Sequence, residues 1–445
     1  MSTDISIPGL IDDTPLGAYH WRLFGLLFVI ALFDGFDTQA IAYTAPAITQ
    51  AFGLAGGALA PIMTAGVVGM AIGAMSLGLI GDKIGRRPAL LGGVTVFSLA
   101  TLMTAFAAST GQIIVLRFIA GLGMGGCTPV LLALAAEYAP SKYRGSVMTG
   151  LLLGLPAGAM LGGLLAARML PAIGWQGIFL AGGIAPLALL GLLVPALPES
   201  LQYLVSKGGA SRLARVRETL KRMAATLPDA EAAFSIPESG VKTSVKALFT
   251  PGNRRNTVAI WATYFFNWVA WFLFLSWLPT VLKAGGLPAG DAPMGTVTVN
   301  FAFIVCAIPL SVFLPRLNIR LLLGCMFAIG LLVCLGLHFS GTNWTWVFIF
   351  IAAAGFGIGG QQIVLNYLVV GSYPTALRAT ATGWAIGSGR VGAIIGSFIG
   401  GQILADGGPS GFYLSLMLPL ALAAVAVFII RPRGEAIDPA SAIGH

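Results

Sequence analysis

Long apolar runs separated by short polar turns dominate this chain, and each run has the length of a membrane crossing. About 20 consecutive apolar residues span the hydrocarbon core of a bilayer as a helix. On that measure the pattern predicts twelve helices. Six lie at 21–43, 59–80, 88–108, 113–136, 146–167 and 174–196, and six at 257–281, 295–314, 321–339, 344–370, 380–404 and 411–430. The long polar stretch 197–256 breaks the rhythm midway. The expected fold class is an all-α membrane protein of twelve transmembrane helices. It divides into a tail (1–20), a six-helix half (21–196), a linker (197–256), a second six-helix half (257–430) and a second tail (431–445).

The halves repeat one another. Gly121-Leu122-Gly123-Met124-Gly125-Gly126, followed by Val130, Leu131, Leu134, Pro140 and Arg144, recurs 234 residues later as Gly355-Phe356-Gly357-Ile358-Gly359-Gly360, with Val364, Leu365, Leu368, Pro374 and Arg378. Both copies fall on the fourth run of a half and the loop after it. Six is an even number, so the halves run the same way through the membrane, as a 6+6 parallel pseudo-repeat. Glycines at four-residue spacing, Gly150, Gly154, Gly158 and Gly162 in the fifth run and Gly392, Gly396 and Gly400 in the eleventh, mark close helix contacts. They read equally as static packing or as the faces where the halves meet and rock.

Composition sharpens the class. The chain is 57% hydrophobic and 9% charged, against about 25% charged in soluble domains, with a mean hydropathy of +0.89. Its net charge of +9 is explained by topology, without a nucleic-acid partner. All but four of the 25 Lys and Arg (Arg117, Arg168, Lys283 and Arg390) fall in segments on the side of the termini, and such a bias places that side in the cytoplasm. Residues 1–20 are polar and read as a cytoplasmic tail, not as a cleavable signal. Within the linker, Ser211 to Arg222 forms a basic amphipathic pattern expected to lie on the inner membrane surface. Cys127, Cys306, Cys325 and Cys334 lack metal-ligand spacing, and His20, His338 and His445 form no cluster. No metal, cofactor or enzymatic nucleophile–base pair is expected.

Charges at membrane depth carry the chemistry. Asp34 and Asp37, in the first run, sit three residues apart and share one helix face. A carboxylate there costs on the order of 3 kcal/mol, so it is a functional-site hypothesis by default. A carboxyl group in a low-dielectric region can also hold a proton near neutral pH and release it when its surroundings change. Arg117 has Ile351 at its repeat position, and Arg390 has Pro156, so neither charge belongs to the duplicated scaffold. Arg117 is expected to pair with Asp34 or Asp37. Glu137 lies about 30 Å further along that helix and cannot join them. Arg390 can grip a carboxylate through two parallel hydrogen bonds, or pair with an acid of the other half. The seventh run is rich in rings around Tyr264, Asn267 and Trp268, and the tenth offers Gln361, Gln362, Asn366 and Tyr367. These groups can serve an aromatic cargo and its ring hydroxyls, or simply link helices.

The turn Gly78-Leu79-Ile80-Gly81-Asp82-Lys83-Ile84-Gly85-Arg86-Arg87-Pro88 resembles the hallmark loop of the major facilitator superfamily. By that resemblance Asp82 caps a neighbouring helix N-terminus, and Arg86 or Arg87 pairs with Glu137. With Arg144 in the loop that follows, they form a cytoplasmic gate that breaks as the halves rock. The equivalent loop of the second half has Leu314-Pro315-Arg316 and Arg320 and has lost the acidic residue, so the latch is expected in the first half. The Asp34-Gly35-Phe36-Asp37 signature resembles the aromatic acid:H⁺ symporter family, as does the run from Gly383-Trp384 through Gly389-Arg390 to Gly396. The resemblance implies an inner-membrane importer of hydroxybenzoate-type carboxylates, supplying aromatic catabolism and using protons as co-substrate. Asp34, Asp37 and Arg117 would couple the proton, and Arg390, Asn267, Gln361, Gln362, Asn366, Tyr367 and Tyr264 would hold the cargo. Lipids would surround it, and a 6+6 carrier needs no second copy, so a monomer is expected. The alternatives are a symporter of muconate or shikimate, a non-transporting sensor, and a drug:H⁺ antiporter.

Overall fold

Ten helical stretches of the computed structural model, which describes residues 5–54, 57–223, 234–235 and 244–431, are long and apolar enough to cross a membrane. Two of them, Ser141–Ala196 with 56 residues and Leu377–Ile429 with 53, exceed what one crossing needs. Each turns back at a glycine, Gly174 (φ 71°) and Gly408 (φ 60°), in a backbone region that only glycine enters at no steric cost. Ten stretches therefore make twelve crossings. The chain is a multi-pass membrane protein.

After the short helix α1 (Ile7–Asp12), the first four crossings are α2 (Ala18–Phe52), α3 (Ala60–Ile84), α4 (Arg86–Thr104) and α5 (Thr110–Tyr138). The fifth and sixth run through α6 (Ser141–Leu152) and α7 (Gly154–Ala196). Two linker helices follow, α8 (Leu201–Lys207) and α9 (Ala210–Arg222). The second half begins with α10 (Arg254–Ala284), α11 (Pro293–Phe313) and α12 (Ile319–Phe339). The tenth crossing consists of α13 (Trp344–Ala354) and α14 (Gln361–Ser372), joined by a π-helical turn at Gly355–Gly359. The last two crossings run through α15 (Thr375–Ser415) and α16 (Met417–Ile429).

The sequence repeat is a structural one. Helix α5 and the α13–α14 crossing begin and end at repeat-related residues, and so do the starts of α6 and α15. Even the caps correspond: the Ser109 hydroxyl accepts from the Gln112 amide at 3.3 Å and Asn343 Oδ1 from the Trp346 amide at 3.4 Å, each satisfying an orphan donor of a first turn. Arg144 and Arg378 occupy matching places as well. Each donates to the carbonyl five residues back, Ala139 at 3.4 Å and Tyr373 at 3.2 Å.

The glycine faces pack within the halves. A side chain at Gly35 or Gly158 would overlap the Leu155 or Leu32 backbone, so α2 and α7 touch. Gly392 and Gly396 likewise meet the Phe265 and Val269 carbonyls of α10. Gly150 has nothing near it. Contacts between the halves gather instead at the end opposite the termini. There Lys283 Nζ donates to the Pro46 carbonyl at 3.3 Å, Gly163 faces Pro293 and Val297, and Gly401 faces Gly57. The end that bears the termini is the open side of the cleft.

The first tail and the linker are more structured than a plain tether. Ile7 and Ile11 of α1 are buried in one cluster with Leu201, Leu204, Val216, Leu220 and Met223. A two-residue parallel pair joins β1 (Ile5–Ser6) to β2 (Phe234–Ser235). The apolar face of α9 is thus occupied by protein, which corrects the expectation that it lies on lipid. Most of the second tail falls outside the described residues. Cys127 and Cys334 are buried and Cys325 is exposed, all as free thiols.

Candidate functional site

The two aspartates of α2 part company. Asp37 faces α4 and α5, where Arg117 Nη1 donates to both of its carboxylate oxygens, at 3.0 and 3.2 Å. Thr101 donates to the same carboxylate at 2.6 Å. The other guanidinium nitrogen, Nη2, donates to Thr101 and Thr104 at 2.8 and 3.1 Å, and the Phe179 ring lies 4.9 Å from the guanidinium. The Arg117 and Asp37 side chains are 3% and 0% exposed, so this is a closed ion pair whose hydrogen bonds offset the cost of burying two charges. Arg117 pairs with Asp37 and leaves Asp34 unpaired.

Asp34 accepts from the Thr128 hydroxyl at 2.6 Å and from Thr38 at 3.4 Å. No cation stands within ion-pair distance of it among the described residues. Arg390, on α15 of the other half, lies within electrostatic reach. That guanidinium is half-buried and has no hydrogen bond or ion pair among the described residues. A carboxylate of one half and a cation of the other thus stand within electrostatic reach without forming an ion pair among the described residues.

The π-turn shapes the second half of the site. The Gly360 amide bonds the Gly355 carbonyl at 2.9 Å, inserting an extra residue just ahead of the polar run, and such bulges often sit at functional sites. Asn267 and Gln361 bond one another, and Gln361 Nε2 also bonds the Gly357 carbonyl at 2.5 Å. The Trp268 indole donates to Gln362 Oε1 at 2.5 Å, and the Tyr264 hydroxyl donates to Asn366 Oδ1 at 2.6 Å. Tyr367 is 6% exposed and joins none of these bonds. Trp268 also packs against Gly389, where a Cβ would stand 2.9 Å from its ring, beside Arg390.

At the open end, Arg86 and Glu137 form an ion pair. Glu137 accepts from the Ser200 hydroxyl at 2.6 Å and the Gln202 amide at 3.3 Å. This pair forms inside the first half and does not bridge the two halves. Arg87 donates instead to the Val194 carbonyl at 2.5 Å. Asp82 is exposed and caps no helix among the described residues. Its expected place is taken by Glu199, a residue the sequence reading passed over, which accepts from the amides of Arg86 (2.8 Å), Arg87 (3.1 Å) and Ser200 (2.8 Å). Arg144, beside Glu137 and Arg86 at a cavity under α1, fastens its own turn.

The model of the Major Facilitator Superfamily matches residues 27–317 and 260–444. The chain belongs to the major facilitator superfamily. It is a membrane carrier, not an enzyme. Within the superfamily it is 38% identical over 426 residues to the gallate transporter of Pseudomonas putida, covering 95% of this chain and 94% of that one. It is 32% identical over 429 residues to the 4-hydroxybenzoate transporter PcaK of the same organism, covering 96% and 95%. The D-xylose-proton symporter shares the fold with a TM-score of 0.74 at 17% identity, covering 93% of this chain and 98% of that one.

Proposed function

We propose that this carrier imports aromatic carboxylates of the hydroxybenzoate type across the inner membrane, together with protons, by alternating access. The observation that carries the reading is Arg390, a cation with no ion pair among the described residues and within electrostatic reach of Asp34 on the other half, in a 6+6 carrier whose relatives are named for gallate and 4-hydroxybenzoate. An aromatic acid is an anion at neutral pH and needs such a cation in an otherwise apolar cavity. While Asp34 is ionised it competes for Arg390. Once protonated it gives the guanidinium up to the cargo, and loss of that proton on the inner side drives the cargo off. Asp34 thus couples the proton, while Asp37 and Arg117 hold the helix that carries it.

Both termini lie in the cytoplasm, as the Lys and Arg bias supports, so the open end faces inward and the chain works as a monomer among lipids. The Arg86–Glu137 pair and the Glu199 cap stiffen the cytoplasmic rim, and Asp82 engages the second half when that rim closes. With the interior negative, bringing in an anion is opposed by about 2.3 kcal/mol per charge per 100 mV. One proton cancels that cost, and two or more let the potential drive uptake.

The test is uptake of labelled 4-hydroxybenzoate, gallate, protocatechuate, gentisate and benzoate by purified protein in liposomes, with and without an inward proton gradient. Gradient-dependent accumulation of any of them is the expected result. Movement of muconate or shikimate alone would overturn the aromatic assignment while leaving the carrier intact.

A further inference from the structure

One hydrogen-bond donor in the second half is held in place and unused among the described residues. The Tyr264 hydroxyl donates to Asn366 Oδ1 at 2.6 Å, and Gln362 Nε2 donates to that same oxygen at 3.2 Å. An amide oxygen has two lone pairs, so both are taken and the Asn366 amide cannot turn over. Its Nδ2 therefore points away from both donors. It meets no acceptor among the described residues and is not sealed in the protein.

Gln362 is fixed in turn by the Trp268 indole at 2.5 Å, and the Trp268 ring lies on Gly389, the residue before Arg390. The free Nδ2 is thus tied, through the Gln362 amide and the Trp268 ring, to the helix turn that carries the cation. The neighbouring amides cannot take this part, because Asn267 and Gln361 are buried and bonded to one another.

We propose that Asn366 Nδ2 reads the ring oxygen of the cargo, so that the carrier selects aromatic acids by an oxygen acceptor remote from the carboxylate. This rests on the reading of Arg390 as the carboxylate anchor. A donor needs only a lone pair on its partner. The selection therefore extends to a methyl ether as well as a phenol, and disfavours the unsubstituted acid.

The experiment measures kcat/KM for 4-hydroxybenzoate, 4-methoxybenzoate and benzoate in liposomes, for the natural protein, Asn366→Leu and Tyr264→Phe. The natural protein should favour both oxygenated acids over benzoate by about tenfold, the effect of one hydrogen bond. Asn366→Leu should bring both ratios close to one. Tyr264→Phe removes one of the two bonds that hold the amide and leaves it to Gln362 alone, so it should lower both ratios toward one, and it tests the same point if the leucine variant does not insert. A merely structural role would lower all three rates together and leave the ratios alone. Unchanged ratios in the variants, or rejection of 4-methoxybenzoate by the natural protein, would overturn the proposal. Failure of every aromatic acid would instead overturn the functional reading beneath it.

Discussion

Arg117 holds Asp37 through one guanidinium nitrogen at 3.0 and 3.2 Å, while Asp34, one helical turn earlier on the same face, is left to two threonines. This division separates what two similar substitutions do. Asp37→Asn strips a buried arginine of its partner, and breaking such a pair costs about 3–5 kcal/mol. The variant should melt at a clearly lower temperature in detergent and lose uptake altogether. Asp34→Asn keeps its hydrogen-bond partners and should fold. It should still exchange cargo down a gradient but fail to accumulate it against one. Counterflow beside gradient-driven uptake checks both, and uphill accumulation by Asp34→Asn would remove Asp34 from the coupling step.

Arg390→Lys keeps the charge and loses the planar fork. One of two charge-assisted hydrogen bonds disappears, so the KM for 4-hydroxybenzoate should rise about tenfold or more. A near-normal KM would show that the anchor lies elsewhere.

Gly35 sits between the two aspartates with the Leu155 backbone directly over it. A methyl group there meets peptide atoms that cannot swing aside, and Gly35→Ala should cost about 3 kcal/mol. A fall in melting temperature and in the yield of folded protein would report it. Gly150→Ala, which meets nothing, is the matched control and should leave both unchanged.

Lys283 bonds the Pro46 carbonyl where the halves touch. Lys283→Met removes a charged hydrogen bond that exists only while that end is closed, a change of about tenfold in the balance between the two ends. A cysteine placed at Val297, which is 8% exposed against Gly163, should then react faster with an impermeant maleimide in a background free of native cysteines.

The large features were legible because they rest on periodicity and length. Apolar runs give the crossings, and the Gly121 and Gly355 repeats give the two halves. What the sequence left open was who meets whom. The glycine spacing of Gly154 and Gly158 promises a close neighbour but does not say that it is α2 of the same half. The apolar stripe of α9, with Val216 and Leu220, demands cover, and lipid and protein satisfy it alike. Asp34 and Asp37 share a helix face, so Arg117 could serve either until the tilt of α5 against α2 is known. Thr101, Thr104 and Thr128 carried no signal at all. Threonines in apolar helices ordinarily bond the carbonyl one turn back, as Thr44 does to Ala40 at 2.8 Å, and only the fold turns some of them toward a charge. Glu199 had one faint sign, an acidic residue between a proline and a serine just past the end of a crossing.

Gly174 and Gly408 take the same left-handed turn at matching points of the two halves, and the helix caps match beside them. Yet Asp37, Arg117 and Arg390 have no counterparts in the opposite copy. A duplicated ancestor would need the turns and caps twice, since each half must insert on its own, but would need a charge only once. Ancestry can then be read in the glycines and the trade of the molecule in the mismatches. New cargo could arise from a few substitutions at unmatched sites, with the inherited frame untouched.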